Sequence, residues 1–563
     1  MDHHAIKASA LQSATYDTIL QIGLRIMSFI LNAFIVRHVS REAFAVMTVR
    51  LHLLYSTGLL LSREAFRRAV LSSKGNKQIH KVINLVWIGT LVSGPVSILG
   101  YYIWMYIMEL PPQNVTKYYG AGVVLMILSV VTEVVAEVPF VLAELQLWSK
   151  TKVIIEGVMQ LTRTALVALL VFFWPVHSVF VFGISHIVGS IVYSSSYYAL
   201  FIHALRKKDE NIKLPIRELK QLLPRRSHGR VLPEVDHELG ALSWSFFKQG
   251  WLKEALTEGE HYIMNFFPLI SLSQQGVYQV VNNLGSLAAR LVFRSIETAA
   301  YKYFARMLYR GKSIQEQDQV CIAEVSKFFR SIFQNLILVS LVIIVFGWSY
   351  SRTLLQLYGG IQLSDSVGTA LMRAQCFYIV FLAVNGITEA YTFAVMDDSQ
   401  LSRHNWLLVL LSLVYICCAV FTTQFVGALG FIFANSVNMG LRIAYSFWFI
   451  YNQYRGSGFQ PLTLQWFSTR LAVVYLAAFL TTCISEIYLY PRSMVLHIVL
   501  GGATLLVVTY TLRMEFRPVL QKIFGILNRL SIRLIGKDED RLSRFHPLLF
   551  IIHLQKFMYD SEE

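Results

Sequence analysis

The sequence predicts an all-α polytopic membrane protein of about fourteen spanning helices. They fall into two six-helix lobes, related as a pseudo-twofold parallel repeat, plus two further helices at the C-terminal end. Three observations predict this. The 563 residues are 55% hydrophobic and only 15% charged, against about 25% charged in an average soluble domain. Apolar runs of about 20 residues, the length that crosses a bilayer, recur along the chain. The loops between those runs alternate between basic and neutral.

Six runs, at 15–37, 43–62, 80–109, 118–146, 152–174 and 178–204, make an N-terminal lobe over 1–205. A densely charged connection follows at 206–239, "RKKDENIKLPIRELKQLLPRRSHGR" and its flanks. Connections of this length join halves or domains rather than packed neighbours. The runs at 242–268, 275–304, 323–349, 366–395, 403–424 and 427–452 make a second lobe over 240–453. The runs at 469–489 and 494–513 are the two added helices, within 454–513. The tail over 514–563 opens with "RPVLQKIFGILNRLSIRLIGK", whose basic and apolar residues alternate at helical spacing. It reads as an amphipathic helix on the cytosolic membrane surface or against the bundle.

A weak internal match supports the two lobes. Shifting the chain by 233 positions lays "LSREAFRRA" over "FRSIETAAYK", pairing Ser62 with Ser295, Glu64 with Glu297 and Arg25 with Glu258. An even number of helices per lobe makes such repeats parallel, about an axis along the membrane normal.

Loop charge sets the orientation. The loop after the second run carries Arg67, Arg68, Lys74, Lys77 and Lys81, and "LWSKTK" and "RMLYRGK" are basic. "WPVH" and "ISLSQQG" hold no Lys or Arg, and "YGGIQLSDSVG" holds only an acid. The positive-inside rule places both termini and the basic loops in the cytosol. Asn114-Val115-Thr116, a glycosylation sequon, then falls on the lumenal side. The N-terminal stretch lacks the parts of a cleaved signal peptide, so the first run is expected to stay as an anchor.

Several chemistries find no motif. The five cysteines lack metal spacing and read as small buried hydrophobes. Asp397-Asp398, before a predicted helix, reads as a helix cap rather than a metal pair. No P-loop, H-E-x-x-H or G-x-S-x-G is present. The sequence reads as a non-enzyme with no metal and no cofactor. Membrane lipids, and not nucleic acid, are its expected surroundings, and a monomer is its expected state.

The informative feature is charge inside the apolar runs, where each ionisable residue costs about 2.5–3.5 kcal/mol on insertion scales. Arg25, Arg290 and Arg442 lie several turns from a predicted helix end, flanked by apolar residues. Arg37 marks the end of the first run. Arg63 and Arg67 stand four apart at the end of the second, with no acid between them on that face. Like charges so placed destabilise a helix unless they are neutralised. Glu64 and Arg68 make an ordinary i,i+4 pair, and Arg294 with Glu297 is a second expected structural pair. Glu260 is the acid expected among the arginines. Guanidinium forks suit phosphate, so an arginine-rich cavity predicts an anionic substrate of phosphate or pyrophosphate type.

Two stretches carry a family resemblance. "SATYDTILQIGLRIMSFILNAFIVRHVSREAFAVMTVRLHLLYSTGLLLSREAFRRA" resembles the start of the Rft family of eukaryotic endoplasmic-reticulum membrane proteins. "EALTEGEHYIMNFFPLISLSQQGVYQVVNNLGSLAARLVFRSIETAAYKYFAR" continues the likeness. That family sits in the multidrug/oligosaccharidyl-lipid/polysaccharide exporter superfamily. The resemblance implies a two-lobed bundle of fourteen helices with a central cavity, in the endoplasmic-reticulum membrane. It implies a part in N-glycosylation: moving dolichol-pyrophosphate-linked oligosaccharide from the cytosolic to the lumenal leaflet, or an essential accessory role in that step. It favours Arg25, Arg37, Arg63, Arg67, Glu260, Arg290 and Arg442 as the substrate-binding set. The alternatives are a scaffold that binds the glycolipid without moving it, and a cation antiporter of the same superfamily.

Overall fold

The computed structural model describes residues 23–24, 26–72, 78–112, 117–146, 148–207, 216, 218–224, 236–267, 269–288, 293–459, 461–462 and 468–535. Among these it is all helical. Over the described residues, the expected spans coincide with helices or with broken pairs of helices. The first unit holds α1 (Ile26–His38), α2 (Arg41–Ser72), α3 (Ile79–Ile107), α4 (Tyr119–Val135), α5 (Glu137–Leu145), α6 (Ser149–Phe173), α7 (Ser178–Lys207), α8 (His237–Thr257) and α9 (Gly259–Phe266). The chain divides between Gln279 and Val280, inside α10 (Leu272–Ala288). The second unit continues with α11 (Arg294–Met307), α12 (Gln319–Gly359), α13 (Ser366–Val395), α14 (Asp398–Val426), α15 (Leu429–Gln453), α16 (Thr469–Tyr488) and α17 (Met494–Ile535).

Nine helices among the described residues are long and apolar enough to cross a membrane, and ten if the bent α4–α5 pair is one span. Only 22% of the apolar window of α14 is buried inside the protein. The remainder is apolar surface that water would not tolerate and lipid would. The chain is a multi-pass membrane protein.

In the first unit, α4 lies along α7 because glycines let the backbones meet. A Cβ on Gly183 would stand 2.8 Å from the Leu125 side chain, and one on Gly122 3.3 Å from the Val179 carbonyl. Close helix contact through small residues is the usual substitute for a hydrophobic drive inside lipid. Phe140, Tyr193, Tyr197 and Phe201 form the buried centre of this unit. The described part of the expected 206–239 linker docks on it. Ile216 and Leu222 are buried there, and Trp87 Nε1 donates to the Leu222 carbonyl at 2.7 Å.

The second unit is built round an aromatic core of Phe304, Phe329, Phe333, Tyr391 and Tyr454 from α11, α12, α13 and the end of α15. The two added helices, α16 and α17, pack on α12 through Leu338, Val345, Tyr475 and Val508. Tyr475 ties the join by donating to the Leu338 carbonyl at 3.0 Å. The backbone of α17 stays helical to Ile535. The stretch expected as a separate amphipathic helix is therefore continuous with the last span, in keeping with its content of Leu, Ile, Lys and Arg.

The cap expected at Asp397 is present as a full capping box. Asp397 accepts from the Gln400 backbone N–H at 2.7 Å, and the Gln400 side chain accepts from the Asp397 N–H at 3.2 Å. The Gln400 N–H and the Ser399 hydroxyl hold the Asp397 carboxyl below its ordinary value of 3.8. A depressed folded value means the cap contributes above that ordinary value and is lost as the pH falls through the folded one. The backbone amides of the first turn of α14 are therefore expected to lose hydrogen-exchange protection on acidification below about pH 4. Asp397→Asn, which caps without titrating, should abolish that pH dependence. Unchanged protection down to pH 2 in the parent protein would refute the assignment.

Candidate functional site

Pro139 shapes the site in the first unit. It has no N–H, and its ring opposes the carbonyl four residues back, so a helix cannot run through from Val135. Accordingly α4 stops at Val135, Ala136 takes φ −84° and ψ 3°, and α5 departs at 41°. The carbonyls at the break find new donors. Tyr198 donates to the Val135 oxygen at 3.0 Å and Ser194 to the Thr132 oxygen at 2.7 Å. Glu133 and Glu137 flank the break, four residues apart, and face Arg63 and Arg67 of α2, also four apart. Arg63 lies in a π-helical turn, Leu60–Glu64, a feature that recurs at functional sites. Gly89 lets α3 pass this turn, since a Cβ there would stand 2.5 Å from the Ser62 carbonyl.

The two arginines are not left unneutralised, as counting along their own helix suggested. Arg67 makes a bidentate pair with Glu137, Nε to Oε1 at 2.5 Å and Nη2 to Oε2 at 2.8 Å. Its guanidinium also lies 3.6 Å over the Phe140 ring. Arg63 Nη1 donates to Glu133 Oε1 at 2.7 Å. The other oxygen of Glu133 accepts from Arg163 Nη2 at 2.8 Å and from the Tyr55 hydroxyl at 2.5 Å. Arg163 also donates to Tyr55 and to Ser190. A Cβ on Gly189 would stand 2.3 Å from Arg163 Cγ, so glycine there makes the room that Arg163 occupies. Glu133, Glu137 and Arg163 are almost fully buried. Arg63 and Arg67 keep 17% and 15% of their side chains exposed.

The two differ in reserve. Arg67 uses both edges of its fork on one carboxylate. Among the described residues Arg63 donates from Nη1 alone, which leaves most of its five N–H groups available to a ligand. The arrangement can hold an anion at a fixed, partly exposed guanidinium without shifting the helix beneath it.

The remaining candidates lie apart. Arg25, Arg290 and Asn114 are outside the described residues. Arg37 is exposed at the end of α1. Glu260 stands in the first turn of α9, beside His261. His261 bridges Glu258 Oε2 at 2.6 Å and Gln279 Oε1 at 3.0 Å. In the second unit Arg442 pairs with Glu389, Nη2 to Oε1 at 2.6 Å. Glu64 accepts from Arg68 Nε at 2.8 Å. Arg294 and Glu297 are not joined in an ion pair. Arg294 is exposed, and Glu297 packs over Gly386 toward the Glu389–Arg442 pair.

Reading the sequence alone missed Tyr55, Glu133, Glu137 and Arg163 as members of this cluster. The available signal was the matched spacing: two arginines four apart on one run, two acids four apart on another, and a proline beside the acids. No group of three or more His, Cys, Asp or Glu able to hold a metal occurs among the described residues.

This is a membrane-embedded helical bundle with a buried ionic cluster at a helix break. The structure resembles "Lipid II flippase MurJ, inward closed conformation", with a TM-score of 0.53 at 12% identity, over 90% of this chain and 100% of that one. The family model described as Rft protein matches residues 9–525. The chain is 38% identical over 512 residues to the "Man(5)GlcNAc(2)-PP-dolichol translocation protein RFT1" of Xenopus tropicalis, covering 90% of this chain and 95% of that one. It is 33% identical to the protein of the same name from Drosophila melanogaster, covering 81% and 87%. The chain belongs to the Rft protein family.

Breaking a buried ion pair from one side strands a charge, at about 3–5 kcal/mol. Arg67→Glu and Glu137→Arg are each expected to lower the thermal midpoint and yield of the purified protein. The double exchange should recover most of the loss. Singles that behave like the parent protein would show that the pair does not organise the site.

Proposed function

We propose that this protein moves a dolichol-pyrophosphate-linked oligosaccharide from the cytosolic to the lumenal leaflet of the endoplasmic-reticulum membrane, with both termini in the cytosol. The relatives' shared name as translocation proteins for Man(5)GlcNAc(2)-PP-dolichol supports the substrate. One observation carries the reading to particular residues. Arg63 is a partly exposed guanidinium held at one nitrogen by a buried carboxylate, with its other donors available.

A pyrophosphate oxygen takes those donors as charge-assisted hydrogen bonds. Arg67, locked on Glu137, supplies nearby positive charge of fixed position. Glu133, Arg163 and Tyr55 hold the arrangement from beneath. Translocation makes and breaks no covalent bond, so the site needs binding and release rather than a nucleophile. Arg442, paired with Glu389 in the second unit, is a further candidate for the same substrate.

The decisive measurement uses purified protein in sealed vesicles with authentic lipid-linked glycan, and follows how fast the glycan becomes accessible on the far leaflet. The parent protein is expected to accelerate transfer. Arg63→Gln should slow it at least about tenfold per molecule of folded protein, the worth of one charge-assisted hydrogen bond, beyond any fall in thermal midpoint from the loss of one of Glu133's donors. Saturable glycolipid binding with no acceleration would replace this reading with that of a non-transporting scaffold.

A further inference from the structure

A polar cavity lies in the unit that begins at Val280, away from the residues discussed so far. Its volume is about 690 Å³, within the ~300–1,000 Å³ of small-molecule sites and far more than a single ion requires. It forms where the C-terminal part of α12, the first turns of α13 and the end of α16 converge. Trp348, Arg352, Thr369, Arg373, Phe377 and Glu486 line it.

Its charges cancel. Arg352 and Arg373 face Asp365 and Glu486, two of each sign. Arg373 is committed: Nε donates to the Trp348 carbonyl at 2.9 Å, and Nη2 to both oxygens of Glu486 at 2.6 and 2.8 Å. Asp365 caps α13, accepting from the Gly368 N–H at 2.7 Å. Arg352 lies over the Tyr490 ring at 5.0 Å. A phosphate or an ammonium finds no net field here, unlike an anion at Arg63.

The lining is suited to a ligand that is polar, uncharged and ring-shaped. Trp348 and Phe377 stand edge to face, with centroids 5.9 Å apart at 83°, and Phe377 is exposed. Thr369 carries a further pointer. It is 8% exposed, yet its Oγ1 is buried with no hydrogen-bond partner. A threonine within a helix ordinarily bonds back to the carbonyl four residues before it, and buried hydroxyls are seldom left unmade. This one lines the cavity beside the hydroxyls of Ser364 and Ser366.

We propose that this cavity binds an uncharged oligosaccharide. Sugar-ring faces pack on the exposed ring of Phe377 and on Trp348 beside the Arg373 guanidinium, which lies over the indole at 4.8 Å, and sugar hydroxyls bond Thr369, the outer edge of the Arg373–Glu486 pair and Arg352. On the loop-charge topology this end of the unit faces the lumen, where a glycan would emerge. The inference rests on the proposed function only for the choice of sugar to test.

The test uses the full-length protein in nanodiscs, because a maltoside detergent would itself offer a sugar. The probe is Man5GlcNAc2 glycan freed of lipid and pyrophosphate, followed by saturation-transfer NMR and titration. Saturable binding is expected, weakened about tenfold by Thr369→Val and by Trp348→Leu, and unaffected by excess inorganic phosphate. Should Trp348→Leu fail to fold, Thr369→Val decides alone, since it keeps the volume of the side chain. No saturable binding overturns the proposal, as does displacement by phosphate or equal affinity in Thr369→Val. The vesicle measurement on intact glycolipid is independent of this one, so a failed cavity and a failed transport reading are told apart.

Discussion

The carboxylate of Glu133 is the interaction on which the first unit depends. It is buried in a protein that itself sits in lipid, where an unpaired charge is among the costliest things a fold can hold. The cost is contained by accepting from four groups: Arg63 and Tyr55 of α2, Arg163 of α6 and, at 3.4 Å, Ser190 of α7. Ser190 also accepts from Arg163. One acid on α4 thus fixes the registers of three neighbouring helices. Other local features follow from making that possible. Pro139 ends α4 beside the acid, Gly189 leaves a space the size of the Arg163 side chain, and Ser194 and Tyr198 take the carbonyls the break exposes.

The membrane class was legible in the sequence because it rests on local quantities: run length, apolar content and loop charge. So was the Asp397 cap, whose two partners lie within three residues. The ionic cluster was only half legible. Arg63 and Arg67 stood out as a like-charged couple, correctly marked as needing neutralisation, but their acids lie 70 residues away on another helix. A one-dimensional count cannot register partners that only a bend brings round. The bend itself was written in "AEVPFV" and passed over, because the apolar run continues smoothly through 118–146. Arg373 is a similar case. Glu486 of an added helix meets it from 113 residues away.

By charge count alone a compensated cluster is a poor anion site, since each arginine already has its acid. The opposite follows from the low dielectric. Several arginines side by side in lipid with no acids would repel one another, and would shed the cost by moving to the interface or by drawing in water. Acids placed beneath them let the arginines remain fixed when no ligand is bound, and fixed donors lose little entropy when a ligand arrives. The arrangement then divides the work. Arg67, held at two nitrogens and stacked on Phe140, is spent on position. Arg63, held at one, keeps its direction and most of its donors. A pyrophosphate, with more than one charge spread over several oxygens, gains more from those donors than a single carboxylate can. On the proposed function it would bind at Arg63 without displacing Glu133, and leave again without stranding a charge. Reversible binding of that kind is what a carrier needs and what a tight, uncompensated arginine pocket would deny it.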